Sequence, residues 1–305
     1  MHSIMAKTQG AYESELVLIA ANSLESLIFE CSKIAEFLEQ APGASLLDVA
    51  YTCAQNYLKC INEPSCKTLA VVASSVKGLR SHLNTAIRRI ENGTGRIRDR
   101  SGIYYSADPL LGEDKEGRIA FILPGAISFY PDMLRSLVLK FPSCRSAFDE
   151  LEEAMAGDPH FHPSSFIFPP ASYYRHDADI FASGAYSEAM ASCYSACAAM
   201  VRLFRSFSIN PDGVTGFAGG EMCALALAGA SGDFPREEKI TFLRDLYNVV
   251  DSAVTDKNIP SCEMLLVLMP HPEKLEELIK SLPPEKVQCA VRFSPKQISL
   301  AVAPD

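Results

Sequence analysis

The 305-residue chain is 48% hydrophobic, which gives it enough apolar surface to bury two or three compact units. Its formal net charge of -9 argues against nucleic acid as a main partner, because phosphate binding needs a basic surface. No apolar run approaches the ~18 residues of a membrane span, Met1 to Lys7 lack the apolar core of a signal peptide, and ten irregularly spaced cysteines read as reduced thiols, so a cytoplasmic protein without a membrane partner is expected.

Residues 14–100 form the first expected unit, of α+β type. Leu16 to Ala20 is a buried-strand run, and Asn22 with Glu25 three residues on reads as a helix start. Leu24, Leu27, Ile28, Cys31, Ile34, Ala35 and Leu38 then recur at helical spacing until Pro42-Gly43 stops the helix. Ser45 with Asp48 opens a second helix through Tyr57, Thr68 to Ala73 is a second strand, and Val76, Leu79, Leu83, Ala86, Ile87 and Ile90 mark the helix after it. Between Lys77 and Arg100 the basic residues Lys77, Arg80, Arg88, Arg89, Arg96, Arg98 and Arg100 face only Glu91 and Asp99. A solvated helix face and a docking patch for an acidic partner both fit that run.

Residues 101–260 form the second expected unit. Gly102 to Tyr105 reads as an edge strand and Pro109 to Gly117 as an acidic linker. Arg118 to Leu123 is short and apolar enough for a buried parallel strand. Helical spacing returns in Met133 to Leu139 and Ser146 to Met155, whereas 157–182, rich in Pro, His, Ser and aromatics, reads as an irregular surface stretch. From Ala185 the set Met190, Cys193, Tyr194, Cys197, Val201 and Phe204 marks a buried helix. Strands alternating with helices predict an α/β unit, a parallel sheet covered by helices. Val214 to Glu221 then runs from a β-branched pair through glycines into a small-residue helix, the layout of a G-x-S-x-G nucleophile elbow. Its central residue is Ala218, so the turn is kept and the attacking hydroxyl is gone. Ile240 to Val254 is helical. In the last unit, 261–305, Cys262 to Met269 is a strand, Glu273 to Leu282 a helix, and Val287 to Phe293 with Gln297 to Val302 a hairpin.

Gly216-Phe217-Ala218-Gly219-Gly220-Glu221, preceded by Leu203 to Asp212, resembles the acyltransferase domain of polyketide and fatty acid synthases, and Gly102 to Tyr105 with Tyr130 to Leu134 is similar in wording to those of polyunsaturated fatty acid synthase-like polyketide synthases. Arg118 to Gly125 is similar to that family's first core strand, and Phe141 to Asp149 to the helix after it. The resemblance implies a ketosynthase-acyltransferase linker at 14–100, an acyltransferase core, and the first half of a ferredoxin-like subdomain at 261–305. It also implies that the general-base histidine would lie beyond Asp305, so a degenerate and C-terminally truncated member is expected, with its half-sheet covered by a partner or a second copy.

Acyl transfer needs a nucleophile, a base and donors for the oxyanion. In the resemblance the serine position is Ala218, the histidine before it is Phe217, and the early-loop glutamine is Ala126. Glu221 keeps the family's elbow glutamate and also suits a helix N-terminus. Arg244 is a candidate for pairing a substrate carboxylate, with a solvated helix arginine as the alternative. Cys193 and Cys197 share a helix face without a histidine pair to make a metal site, and the spacing of His160, His162 and His176 in the irregular stretch is by itself a weak metal signal. Ser128, Cys223 and Ser231 are the nearest substitutes for the missing serine; Cys223 is expected to face away from the mouth, and neither serine has an identifiable base. The expectation is a catalytically inactive acyltransferase-like protein needing no cofactor. It would recruit a ketosynthase, another synthase subunit or an acidic acyl carrier protein, with Arg88, Arg89, Arg96 and Arg98 as candidate partner-binding residues. The competing expectation is an active acyl transferase or hydrolase completed by a second polypeptide or an unusual nucleophile.

Overall fold

A computed structural model describes residues 12–63, 65–111, 116–169, 185–228, 235–256, 262–269 and 271–303. The chain divides into two compact units, Met1–Ile119 and Ala120–Asp305.

In the first unit, serine caps start each long helix, since a side-chain oxygen there satisfies an amide left unpaired at the helix end. Ser23 accepts from Ser26 N at 3.1 Å ahead of α1 (Leu24–Gln40), Ser45 from Asp48 N at 3.3 Å ahead of α2 (Leu46–Cys60), and Ser75 from Gly78 N at 3.1 Å ahead of α3 (Val76–Glu91). The first cap is therefore Ser23 and not Asn22, whose Oδ1 instead accepts from the Cys60 thiol at 3.0 Å. Strands β1 (Glu15–Ala21), β2 (Lys67–Ala73), β3 (Arg96–Asp99) and β4 (Ile103–Ser106) form an antiparallel sheet in the order β1-β2-β4-β3. Val17, Leu27, Leu69, Val71, Leu79 and Leu83 are 0% exposed between sheet and helices, each contributing about 1.5–3 kcal/mol by burial.

The expected edge strand at Gly102–Tyr105 lies inside this sheet, between β2 and β3. Gly102, at φ 107, makes the reversal that allows it, with Val72 N donating to Gly102 O at 2.8 Å. The sheet thus carries the first unit past the break expected at Arg100. The edge on that side belongs to Arg96–Asp99, part of the basic run from Lys77 to Arg100.

The second unit begins with β5 (Ala120–Leu123), which pairs in parallel with β6 (Gly213–Gly216), Leu123 opposite Gly216. Between them run α4 (Arg135–Lys140), α5 (Pro142–Ala154), α6 (Pro163–Ile167) and the long α7 (Tyr186–Ser206). After β6 come α8 (Gly220–Leu227) and α9 (Arg236–Thr255). Leu151 of α5, Ala199 of α7 and Leu243 of α9 meet in one core. Glu150 of α5, almost buried, is paired with Arg202 of α7 at 2.5 Å and with Arg236 at 3.6 Å, so the charge taken from water there is compensated.

The surface stretch expected at 157–182 is corrected over its described part. Phe161 and Ile167 are each 1% exposed, and Phe161 stacks on Tyr247 with centroids 5.2 Å apart and meets Phe166 edge-on. Its three phenylalanines, Phe161, Phe166 and Phe168, outweigh the Pro and His content that suggested a loop. The rest of that stretch, with His176, lies outside the described residues, as does Ser231.

The last strands, β7 (Glu263–Leu268), β8 (Val287–Ser294) and β9 (Gln297–Val302), form an antiparallel sheet in the order β7-β9-β8, with α10 (Pro272–Ser281) between β7 and β8 in sequence. Leu275 of α10 and Ile298 and Leu300 of β9 close one face as a small core. Met264, Leu266 and Leu268 alternate onto the opposite face and stay exposed. No helix among the described residues is long and apolar enough to cross a membrane.

Candidate functional site

The site is built where β5 and β6 end side by side. Phe217 N, just past β6, donates to Leu123 O at 3.0 Å, so the chain leaves both strands in register. Gly220 N returns to Phe217 O at 2.9 Å and Glu221 N to Ala218 O at 3.0 Å, closing a tight turn that opens α8. At its apex Ala218 has φ 52, a left-handed conformation that disfavours any residue with a Cβ. Backbone held in that region concentrates at functional sites, and Ala218 is exposed there. The turn is a nucleophile elbow by conformation, with a methyl group where G-x-S-x-G places a hydroxyl.

Its glycines are required by neighbouring backbone. A Cβ on Gly220 would lie 2.0 Å from Leu123 O, and one on Gly216 2.0 Å from Gly220 O. The loop after β5 presses on the same turn, because a Cβ on Gly125 would meet Gly219 N at 2.9 Å. Ala126, which follows, is 2% exposed and begins a single 3-10 turn to Ser128. Ser128 is exposed, with its amide bonded to Gly125 O at 3.0 Å. Beside the loop a cavity of about 380 Å3 is lined mainly by apolar groups such as Phe121, Leu123, Met133, Cys193 and Phe204, with Ser128 at its margin.

Phe217 stands 5.4 Å, centroid to centroid, from Phe293 of β8. Sequence gave no sign of that contact, since the two are far apart along the chain and each reads as an isolated aromatic.

The other expected residues fall in different places. Cys223 is fully buried in α8, where its hydrogen bond with Cys197 and desolvation raise its thiol pKa, which disfavours the thiolate that a nucleophile needs. Burial likewise pushes Cys193 up to about 12, and Cys193 and Cys197 are core residues of α7. Glu221 sits exposed in the first turn of α8. Arg244 of α9 donates Nε to Ala154 O, the last carbonyl of α5, at 2.8 Å, and so caps that helix. His160 and His162 are exposed around the turn of Asp158, which accepts from His160 N at 2.8 Å. Among the described residues no group of three or more His, Cys, Asp or Glu side chains is arranged to hold a metal ion.

In the first unit, Arg88, Arg96 and Arg98 are exposed, whereas Arg89 is engaged with Asp99 at 3.1 Å and Arg80 with Glu39 at 2.6 Å.

Solved structures with this arrangement are acyltransferase domains. The acyl transferase domain of ZmaA superposes with a TM-score of 0.69 at 20% identity, over 97% of this chain and 61% of that one. The acyl transferase domain of SpnD gives 0.65 at 19% identity, over 97% and 60%. The chain has the acyltransferase-domain fold of polyketide synthases. In sequence, the acyltransferase-like chain is 24% identical over 212 residues to the spectinabilin polyketide synthase system protein NorA of Streptomyces orinoci, and 26% identical over 221 residues to the non-reducing polyketide synthase gsfA of Penicillium aethiopicum. These matches span 70% and 71% of this chain but 10% of each relative, and this chain spans about three-fifths of the solved domains. No family model matches it.

Proposed function

We propose that this chain is a pseudo-acyltransferase, an acyltransferase fold that has given up covalent acyl transfer and serves polyketide or fatty acid type biosynthesis by recruiting a partner. The observation that carries this reading is Ala218. It occupies the left-handed apex of the elbow at φ 52, a strain tolerated to present a nucleophile, yet it has no nucleophilic atom. Two further features support it. The thiol of the elbow helix, Cys223, is buried with its pKa raised, and Phe217, next to Ala218, has a ring that can neither accept nor donate a proton.

Partners follow from the same reading. A ketosynthase or other synthase subunit, or an acyl carrier protein, is the class of partner implied by the polyketide synthase relatives, and the exposed arginines of α3 and β3 suit an acidic one. The test is intact-mass spectrometry after incubation with malonyl-CoA and acetyl-CoA. The expected result is an unmodified chain with no hydrolysis of either thioester. A stable acyl adduct on any Ser or Cys would overturn the proposal and favour a transferase with a displaced nucleophile.

A further inference from the structure

Ten cysteines are free, and one pair stands apart from the rest. Cys60, the last residue of α2, and Cys66, one residue before β2, hold their Sγ atoms 3.0 Å apart, with the single Cys60 thiol proton shared between Cys66 Sγ and Asn22 Oδ1. The turn between them is fixed by Glu63 N to Cys60 O and Cys66 N to Glu63 O, both 2.9 Å, so the approach is a property of the fold. Both are half-buried, and Cys60 lines an open polar cleft of about 570 Å3 together with Asn22, Lys59 and Glu63. By contrast Cys31, Cys53, Cys144, Cys193, Cys197 and Cys223 are buried, and the exposed Cys262 and Cys289 have no thiol contact among the described residues.

We propose that Cys60 and Cys66 form an oxidisable dithiol, converted to an intramolecular disulfide by exchange with a low-molecular-weight disulfide such as oxidised glutathione. A disulfide needs about 2.05 Å between sulfurs, so the pair closes by a shift of about 1 Å. Cys66, which accepts the hydrogen bond, is the attacking sulfur. Its thiolate displaces one glutathione thiolate and leaves a Cys66–glutathione mixed disulfide. Cys60 is pushed up to about 11 by burial and by its bond to Cys66, which disfavours its thiolate, so it acts second. Its thiolate attacks the Cys66 sulfur and releases the second glutathione. The protein loses two protons and two electrons, and the small disulfide becomes two thiols. Oxidation also removes the Cys60 donor from Asn22 Oδ1, so the cleft at the end of β1 changes its polar lining.

The sequence provides the assay. Lys59 and Lys67 flank the pair, so trypsin releases both cysteines in one peptide, Cys60–Lys67. The full folded chain is titrated with oxidised glutathione, quenched with an alkylating reagent, digested and weighed. The expected peptide is unalkylated and lighter by two hydrogens, formed several-fold faster than in urea-unfolded chain, while Cys262 and Cys289 take only alkyl or glutathione. Cys60→Ser should trap glutathione on Cys66, and Cys66→Ser should leave Cys60 slow to react. A doubly alkylated 60–67 peptide at oxidant concentrations that already modify Cys262 and Cys289 would overturn the proposal. So would equal closure rates in folded and unfolded chain, which would make proximity in sequence, and not the fold, the cause.

Discussion

Gly125 and Gly219 approach so closely at the elbow that a methyl group on Gly125 would lie 2.9 Å from the Gly219 amide nitrogen. Two loops from the ends of β5 and β6 are thus locked backbone to backbone, and the space has no flexible side chain that could yield. Gly220 is tighter still, with Leu123 O 2.0 Å from any added Cβ. Gly220→Ala should therefore destabilise the second unit by about 3 kcal/mol or more, and Gly125→Ala by about 1–3 kcal/mol. Gly213→Ala is the control, because nothing lies within 4 Å of its Cβ position, and it should move the urea midpoint little. Equal effects at all three positions would mean that the close approach is absent.

Ala218→Ser should not restore acyl transfer. Serine accepts the same elbow conformation, but the described histidines of the second unit, His160, His162 and His271, are exposed, His271 against Glu273 at 3.3 Å. Losing a triad member alone removes most of the rate in such systems. Rapid acylation of Ala218→Ser by malonyl-CoA would reveal a working base. Ala218→Gly gives the complementary reading: relief of the left-handed strain should stabilise by up to about 1 kcal/mol after the cost of a looser unfolded chain, measured as a raised urea midpoint.

How far the sequence could be read follows from the range of each signal. The α1 stripe Leu27, Cys31, Ala35, Leu38 repeats within one helix, and all four are buried as the spacing predicts. The elbow glycines are equally local, and Ala218 was visible among them. What failed depends on partners far along the chain. Alternation in Ile103, Tyr104 and Tyr105 tells which residues face the core but not whether the strand is inside or at the edge. Arg244 reads as a free cation until the carbonyl of Ala154 is seen beside it. Cys60 and Cys66 read as two of many scattered thiols, because the turn that joins them is set by the end of α2 and the start of β2.

Phe217 and Phe293 offer a test of whether the three-stranded sheet leans on the elbow. Their rings are 5.4 Å apart at an interplanar angle of 35°, within the range in which aromatic pairs attract. Both are partly exposed, so the coupling expected from a Phe217→Ala, Phe293→Ala double-mutant cycle is about 0.5–1 kcal/mol. Additive losses would show that the rings are neighbours without mutual stabilisation.

The arginines of α3 and β3 carry the last prediction. On β3, Ile97 is buried while Arg96 and Arg98 stand on the solvent side, and Arg88 is exposed near the end of α3. A plain account exists, because β3 is the edge of its sheet and charged side chains on an edge discourage strand addition. The docking account adds a kinetic consequence that the plain one lacks. Opposite patches speed encounter and set orientation more than they deepen affinity. Arg89 is left out of the variant, since reversing it would break the pair with Asp99 and confuse binding with stability. The triple reversal Arg88→Glu, Arg96→Glu, Arg98→Glu should slow association with an acidic acyl carrier protein several-fold at low salt. The difference should vanish near 1 M salt, where screening acts within about 3 Å. Stopped-flow association at both salt concentrations measures it. Equal rates at low salt would return these arginines to the role of guarding a sheet edge, and would leave the partner to be sought on another face of the chain.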